Sequence, residues 1–164
     1  MQSWLRLTLI TTTVGGGFAG FAATFSSLFD SPGEGILAST LRVTFLALYG
    51  YIVVSGLIFV QNPQRLGPLS IAFGLQVPSF SSPYLVYKLA AGPAVVAGFG
   101  SPTQPGKFFT IDWQLLLAGS WQFAILQRDR WQFCINLAAL AFFASVWISR
   151  QRLKASTMHT STPS

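Results

Sequence analysis

Charge is scarce in this chain. Charged residues occupy 9% of its 164 positions, and only Asp30, Glu34, Asp112 and Asp129 are acidic. A soluble globular domain carries about 25% charged residues. Hydrophobic residues reach 51% and aromatics 15%, fifteen of them Phe. Such a balance leaves too little polar surface to cover a particle in water. Lipid is therefore the expected solvent for much of the surface.

Histidine and cysteine are rarer still, with His159 and Cys134 the single examples. One cysteine excludes an intrachain disulfide, and the pair offers no metal site of the usual spacing. Asp30 and Glu34 stand four apart, but Pro32 and Gly33 between them break a shared helix face, so no carboxylate dyad for acid–base work is expected. Gly-rich phosphate loops followed by Lys, GxSxG and HExxH are absent as well. Neither a cofactor nor a metal is expected, and a non-enzymatic role is favoured over a membrane enzyme.

Ten Lys and Arg give a net charge of +6. They are scattered, and Arg128, Arg130, Arg150, Arg152 and Lys154 flank one apolar run. Cations in that position reach lipid headgroups, so nucleic acid is not an expected partner.

Three runs free of charge and proline approach the roughly 20 residues that a membrane helix needs. The first, Leu7 to Phe29, is rich in small residues: Gly16 and Gly20 form a GxxxG pair, and Ala19 and Ala23 repeat the spacing. That stripe predicts close helix packing. A cleaved signal peptide ending near Ala22–Ala23 is the alternative, opposed by the apolar continuation through Phe25 and Leu28. The second run, Val43 to Val60, has Val, Leu, Ile or Phe at eleven of eighteen positions. The third, Trp131 to Ile148, carries Trp near both ends and one strongly polar side chain, Asn136. A lone amide at that depth is expected to turn toward another helix and bond there.

The middle of the chain reads differently. Seven of the nine prolines fall between Pro63 and Pro105, which argues against long helices. Leu69, Ile71, Phe73, Leu75 and Val77 alternate with small or polar residues, as in a half-buried strand. Turn clusters at 78–83, 90–93 and 100–106 separate strand-length pieces at 84–89 and 94–99. A second alternation runs through Phe109, Ile111, Trp113, Leu115 and Leu117, and a third through Trp121, Phe123 and Ile125. Four or five strands in sequence suggest a β-meander. The rival for 112–126 is a helix, interfacial or forming a fourth span, with Gln114, Ala118 and Gln122 on one stripe.

Four polar residues in this region are candidates for a polar ligand or for pairing. Asp112 lies in an apolar stretch and Lys88 between Tyr87 and Leu89, so the two are expected to pair if one cavity holds both. Gln76 and Gln114 occupy the polar phase of their alternations and suit the lining of a small β interior.

The expected fold is thus an integral membrane α+β protein with about three transmembrane helices, four at most. A helical hairpin (1–60) leads to a Pro/Gly-rich antiparallel β-meander (61–127), a last anchoring helix (128–152) and a disordered tail (153–164). Its expected partners are the lipid bilayer and another membrane protein or a second copy, in a bacterial-type cytoplasmic membrane. Positive-inside counting puts Arg6 inside and the loop with Asp30 and Glu34 outside, but three crossings then leave the basic tail outside. The favoured role is an accessory or assembly subunit, or a sensor with a β recognition unit. A channel or small-solute transporter component is the alternative.

Overall fold

The computed structural model describes residues 3–30, 36–82, 84–101, 110–116, 120–125 and 131–159. Helix α1 (Ser3–Ile10) passes through a π-helical stretch (Thr11–Gly16) into α2 (Gly17–Asp30) without leaving helical geometry. The three Thr and two Gly of this stretch explain the widening. Thr13 turns its hydroxyl back onto the Leu9 carbonyl at 2.7 Å, and such back-bonding competes with the regular helical ladder.

Helix α3 (Ile36–Gln61) returns alongside α2. Two helices, Ser3–Phe29 and Ser39–Gln61, are long and apolar enough to cross a membrane. The first extends about 40 Å at 1.5 Å per residue.

The small-residue stripe works inside the chain. A Cβ on Gly20 would strike the Tyr49 ring of α3, and one on Gly17 would meet Ile52 and Val53. Gly56 of α3 lies equally close to Thr13 and Val14. Gly16 approaches not a helix but the backbone of Ala91 and Gly92, and Ala23 is exposed.

After α3 the chain turns into α4 (Leu66–Gly74), which corrects the strand expected over 69–77. Leu66, Leu69, Ser70, Ala72 and Phe73 are buried at helical spacing. Ser70 and Ala72 suit a polar strand phase and a tight helix face equally, so alternation alone does not choose. Pro68 is tolerated because it falls in the first turn, where a backbone N–H has no helical partner.

Six strands follow: β1 (Pro78–Ser81), β2 (Leu85–Ala90), β3 (Ala94–Gly100), β4 (Thr110–Leu116), β5 (Ser120–Ile125) and β6 (Gln132–Asn136). Residues 110–116 and 120–125 are thus strands, the reading favoured over a helix for 112–126. Among the described residues every strand pairing is antiparallel, but the order β4-β3-β6-β1-β2-β5 is no meander. Strand β6 inserts between β3 and β1, which makes it central.

The third expected span is also corrected. Its first residues form β6, and α5 (Leu137–His159) starts only after Asn136. Asn136 lies at that junction, not within a helix: its Oδ1 accepts the Ala139 N–H at 3.2 Å, the N-cap bond to the third helical residue. The apolar part of α5, 137–148, then rises only about 18 Å. A bilayer core is about 30 Å thick, so this part does not cross alone. Beyond Arg152 the helix continues to His159, into the expected tail, through the good helix formers Leu153, Lys154 and Ala155.

The sheet curls. Leu116 and Ser120, on the two end strands of the order, are four residues apart, so their Cα atoms lie within about 15 Å. Six flat strands would hold those edges about 24 Å apart. Gly98 marks where the bend is tight: a Cβ there would strike Cys134 and the Phe133 carbonyl.

Two cores result. Leu9, Phe59, Leu66, Leu69, Phe73 and Val146 join α1, α3, α4 and α5. Phe45, Tyr49, Ile52, Ala72, Leu89 and Ala91 join α3 and α4 to β2 and the turn that follows it.

The docked turn gives a graded prediction for unfolding of the protein in detergent micelles. Gly92 has φ +85° and faces Thr12, so Gly92→Ala should cost about 1–2 kcal/mol. Gly16→Ala should cost about 1–3 kcal/mol, because its methyl displaces the 91–92 backbone. Gly15→Ala meets only Thr11 Cγ2 at 4.0 Å and should be neutral or stabilising. Equal effects at positions 15 and 16 would rule out the docked turn.

Candidate functional site: the two phases of the curled sheet

Residues directly opposite in an antiparallel ladder share a face, so the register sorts the sheet into two phases. One phase contains the row Phe99–Phe133–Phe80–Tyr87, running across β3, β6, β1 and β2. By register, Ile111 on β4 and Phe123 on β5 complete it. A second row of the same phase joins Trp113, Ala97, Ile135 and Pro78, and the pair Val95–Leu115 lies beyond. Every position on this phase is apolar or aromatic.

The other phase is small and polar. Its rows include Asp112–Gly98–Cys134–Ser79 and Thr110–Gly100–Gln132–Ser81. Lys88 follows Tyr87 as Ser79 precedes Phe80, which carries the first row onto β2 and to Gln122 on β5. Gln114 stands on this phase too, opposite Val96, which in turn opposes Asn136.

Burial shows which phase faces inward. Ser79, Ser81, Val86, Ala94, Cys134 and Asn136 are all buried. On the apolar phase Val95, Phe99, Leu115 and Phe133 are 38%, 48%, 59% and 36% exposed. The sheet thus hides its polar side and shows its greasy side. Three residues depart from this: Gln122, on the polar phase at the β5 edge, is exposed, Leu89 is buried against the α3 residues of the second core, and Tyr87 stacks on Phe80 while its hydroxyl donates to the Leu75 carbonyl at 2.8 Å.

The six strands hold one basic and one acidic residue, Lys88 and Asp112. Both stand on the polar phase, in one row. They are not ladder neighbours, since Lys88 opposes Gln122 and Asp112 opposes Gly98. Lys88 is half-buried; the side chains of Asp112 and Gln114 lie outside the described residues.

Gln76 belongs to a different place from the one its alternation suggested. It sits in the turn after α4, is 2% exposed, donates to the Ala72 carbonyl at 2.9 Å and accepts the Ala91 N–H at 2.8 Å. Together with Tyr49, whose hydroxyl donates to the Ala90 carbonyl at 3.1 Å, it fixes the turn that lies on Gly16. Tyr49 was not among the sequence candidates. Its polar tip within an apolar run is the signal that marked it, because a buried phenol needs a partner.

Protein-family models, curated proteins and solved structures give no match to this chain. Chemistry must therefore be read from the geometry alone. Among the described residues no three His, Cys, Asp or Glu gather for a metal. Every buried side-chain nitrogen or oxygen among them has a hydrogen-bond partner. The described buried groups of the polar phase are therefore hydrogen-bonded within the chain.

Gln76 allows a direct check. Gln76→Leu keeps the volume but strands the Ala91 N–H, so unfolding in micelles should show a loss of about 1–3 kcal/mol. Gln76→Glu keeps the acceptor oxygen for that N–H. It should remain less stable than the parent at neutral pH, because the carboxylate cannot donate to Ala72 and is buried. A neutral Gln76→Leu would show that the turn is not held by this amide.

Proposed function

We propose that this chain is a small multi-pass membrane protein without catalytic activity, acting as an accessory or assembly subunit. The observation that carries the reading is the inverted polarity of the sheet, small and polar within and aromatic without. A sheet in water turns its apolar face to a core. A sheet in lipid does the reverse, and the alternation of apolar-out with polar-in is the pattern of strands embedded in a bilayer.

The helical hairpin supplies the crossings, and the curled sheet lies against its side. Gly16 is near the middle of the 3–30 helix, and the turn at 91–92 touches it there. With the hairpin across the bilayer, that turn lies near mid-depth. Non-helical backbone at such depth is tolerated only where protein buries it; the bonds from Tyr49 and Gln76 to the turn meet that condition.

Among non-enzymatic roles, the satisfied interior favours an accessory subunit over a ligand sensor. A channel or transporter component is the second reading. What favours it is the single row on the polar phase that contains both charges of the sheet, since intramembrane charges commonly mark ion or solute paths. In the first reading Lys88 and Asp112 neutralise each other as a structural pair.

Two measurements test this. In bilayer vesicles Leu115→Lys and Phe99→Lys should each destabilise the protein by about 1–4 kcal/mol, according to depth. Unchanged stability with better aqueous solubility would contradict lipid exposure. Native mass spectrometry after direct extraction into nanodiscs should show a second polypeptide at fixed stoichiometry. A lone protomer or homo-oligomer that passes small ions across liposomes would replace the accessory reading with the channel.

A further inference from the structure

Four of the chain's ten cations gather at one end of its helical layer, while Arg42 stands near the other end, on α3, and Lys88 in the sheet. Arg6 lies in the second turn of α1, Arg65 immediately precedes α4, and Arg150 and Arg152 lie in the second half of α5. The acidic residues lie elsewhere: Asp30 closes α2 at the far end, and Asp112 belongs to β4. Glu34 and Asp129 are outside the described residues.

This arrangement removes the topological conflict of three crossings. Only the hairpin crosses, and α4 and α5 lie against the half of it where α1 begins and α3 ends. The Arg6 end and the Arg152 end are therefore the same end, the one that positive-inside counting places in the cytoplasm.

Between these elements lies a groove of about 530 Å³, lined by Arg6, Gln64, Leu66, Ser149, Arg152 and Leu153 with Pro63 at its rim. Among the described residues its lining contains two guanidinium groups, an amide and a hydroxyl, and no carboxylate. Arg6 is braced, donating to the Val60 carbonyl at 3.3 Å, and has further N–H groups to offer. The exposed rings of Trp4 and Trp147 lie on the same two helices, at 62% and 45% exposure. Tryptophan in such a position marks the headgroup level of a bilayer.

We propose that this groove binds the phosphate of an anionic phospholipid. Arg6 and Arg152 face the phosphate oxygens, for which the planar guanidinium fork is the best-matched side chain. Gln64 and Ser149 add neutral donors. Leu153 and Pro63 give the glycerol and upper acyl carbons an apolar wall. Basic pockets between helices on the cytoplasmic side are a recurrent way of holding such headgroups. The inference rests on the bilayer reading above.

The test uses the full chain in nanodiscs of mixed phosphatidylcholine and phosphatidylglycerol, with retained lipid counted by native mass spectrometry. The parent should retain phosphatidylglycerol in preference. The double variant Arg6→Gln/Arg152→Gln should lose that preference by roughly thirty-fold, from two arginines each acting at the surface. Arg6→Lys/Arg152→Lys should keep part of it, and Arg42→Gln, away from the groove on α3, should keep all of it. Equal retention of both lipids by the parent, or a double variant that behaves like the parent, would overturn the site. Displacement of the lipid by free glycerol phosphate at matched concentration would assign the groove to a soluble phosphate instead. Resistance of the parent to alkaline extraction is read in parallel vesicles, so failure of membrane insertion is distinguished from failure of the lipid site.

Discussion

The contact between the turn at 90–93 and the middle of the first long helix holds the two halves of this molecule together. Gly16 has no side chain, Gly92 adopts a left-handed conformation, and the two backbones meet. Around them Tyr49 and Gln76 each give the turn one hydrogen bond. Buried backbone groups need such partners, and in a low-dielectric setting an unpaired one costs the full desolvation penalty. The geometry of the sheet follows from this contact. Strand β2 arrives at the helices through it, β3 leaves from it, and α4, whose following turn carries Gln76, must lie alongside.

From that anchor the polarity of the sheet becomes intelligible. The inner phase must curl around itself, and small residues make this feasible: Ser79, Ser81, Ala94 and Gly98, with Cys134 lying against Gly98. Small barrels have little interior volume to fill. The large residues of the same strands are forced outward, where Phe99, Phe133 and Leu115 remain uncovered. At about 25 cal/mol per Å² such exposure is unfavourable in water, and in hydrocarbon it costs nothing. Scarcity of charge in the sequence and inversion of the sheet are two expressions of one constraint.

Legibility in the sequence tracked the range of the interactions. The two helices long and apolar enough to cross a membrane stand out because a long charge-free run is a local property. Strands β2 and β3 are bounded by Pro, Gly and Ser clusters and their limits agree with those clusters to within a residue or two, whereas the cluster at 78–83, read as a turn, holds β1. Helix α4 was hidden because Ser70 and Ala72 fit two periodicities. Strand β6 was hidden because Trp131 to Ile148 is one apolar run by composition; the signal that splits it is Asn136, an N-cap residue placed just before a strong helix former. The order of strands was beyond reach, since β6 pairs with β1 and β3 across 30 or more residues. The candidate polar residues Lys88, Asp112 and Gln114 share a phase that alternation marks as polar. Which way that phase faces depends on curvature, and no single segment encodes it.

The central claim is that the aromatic phase of the sheet faces lipid while its polar phase faces inward. It is tested most directly with nitroxide labels in bilayers, in a Cys134→Ala background, at Phe99→Cys, Leu115→Cys, Ser79→Cys and Ser81→Cys. The account predicts strong collision with oxygen and little with a water-soluble nickel chelate at 99 and 115, and low access to either at 79 and 81. Access to the nickel chelate at 99 and 115 would contradict it, placing the sheet in water with its apolar side uncovered.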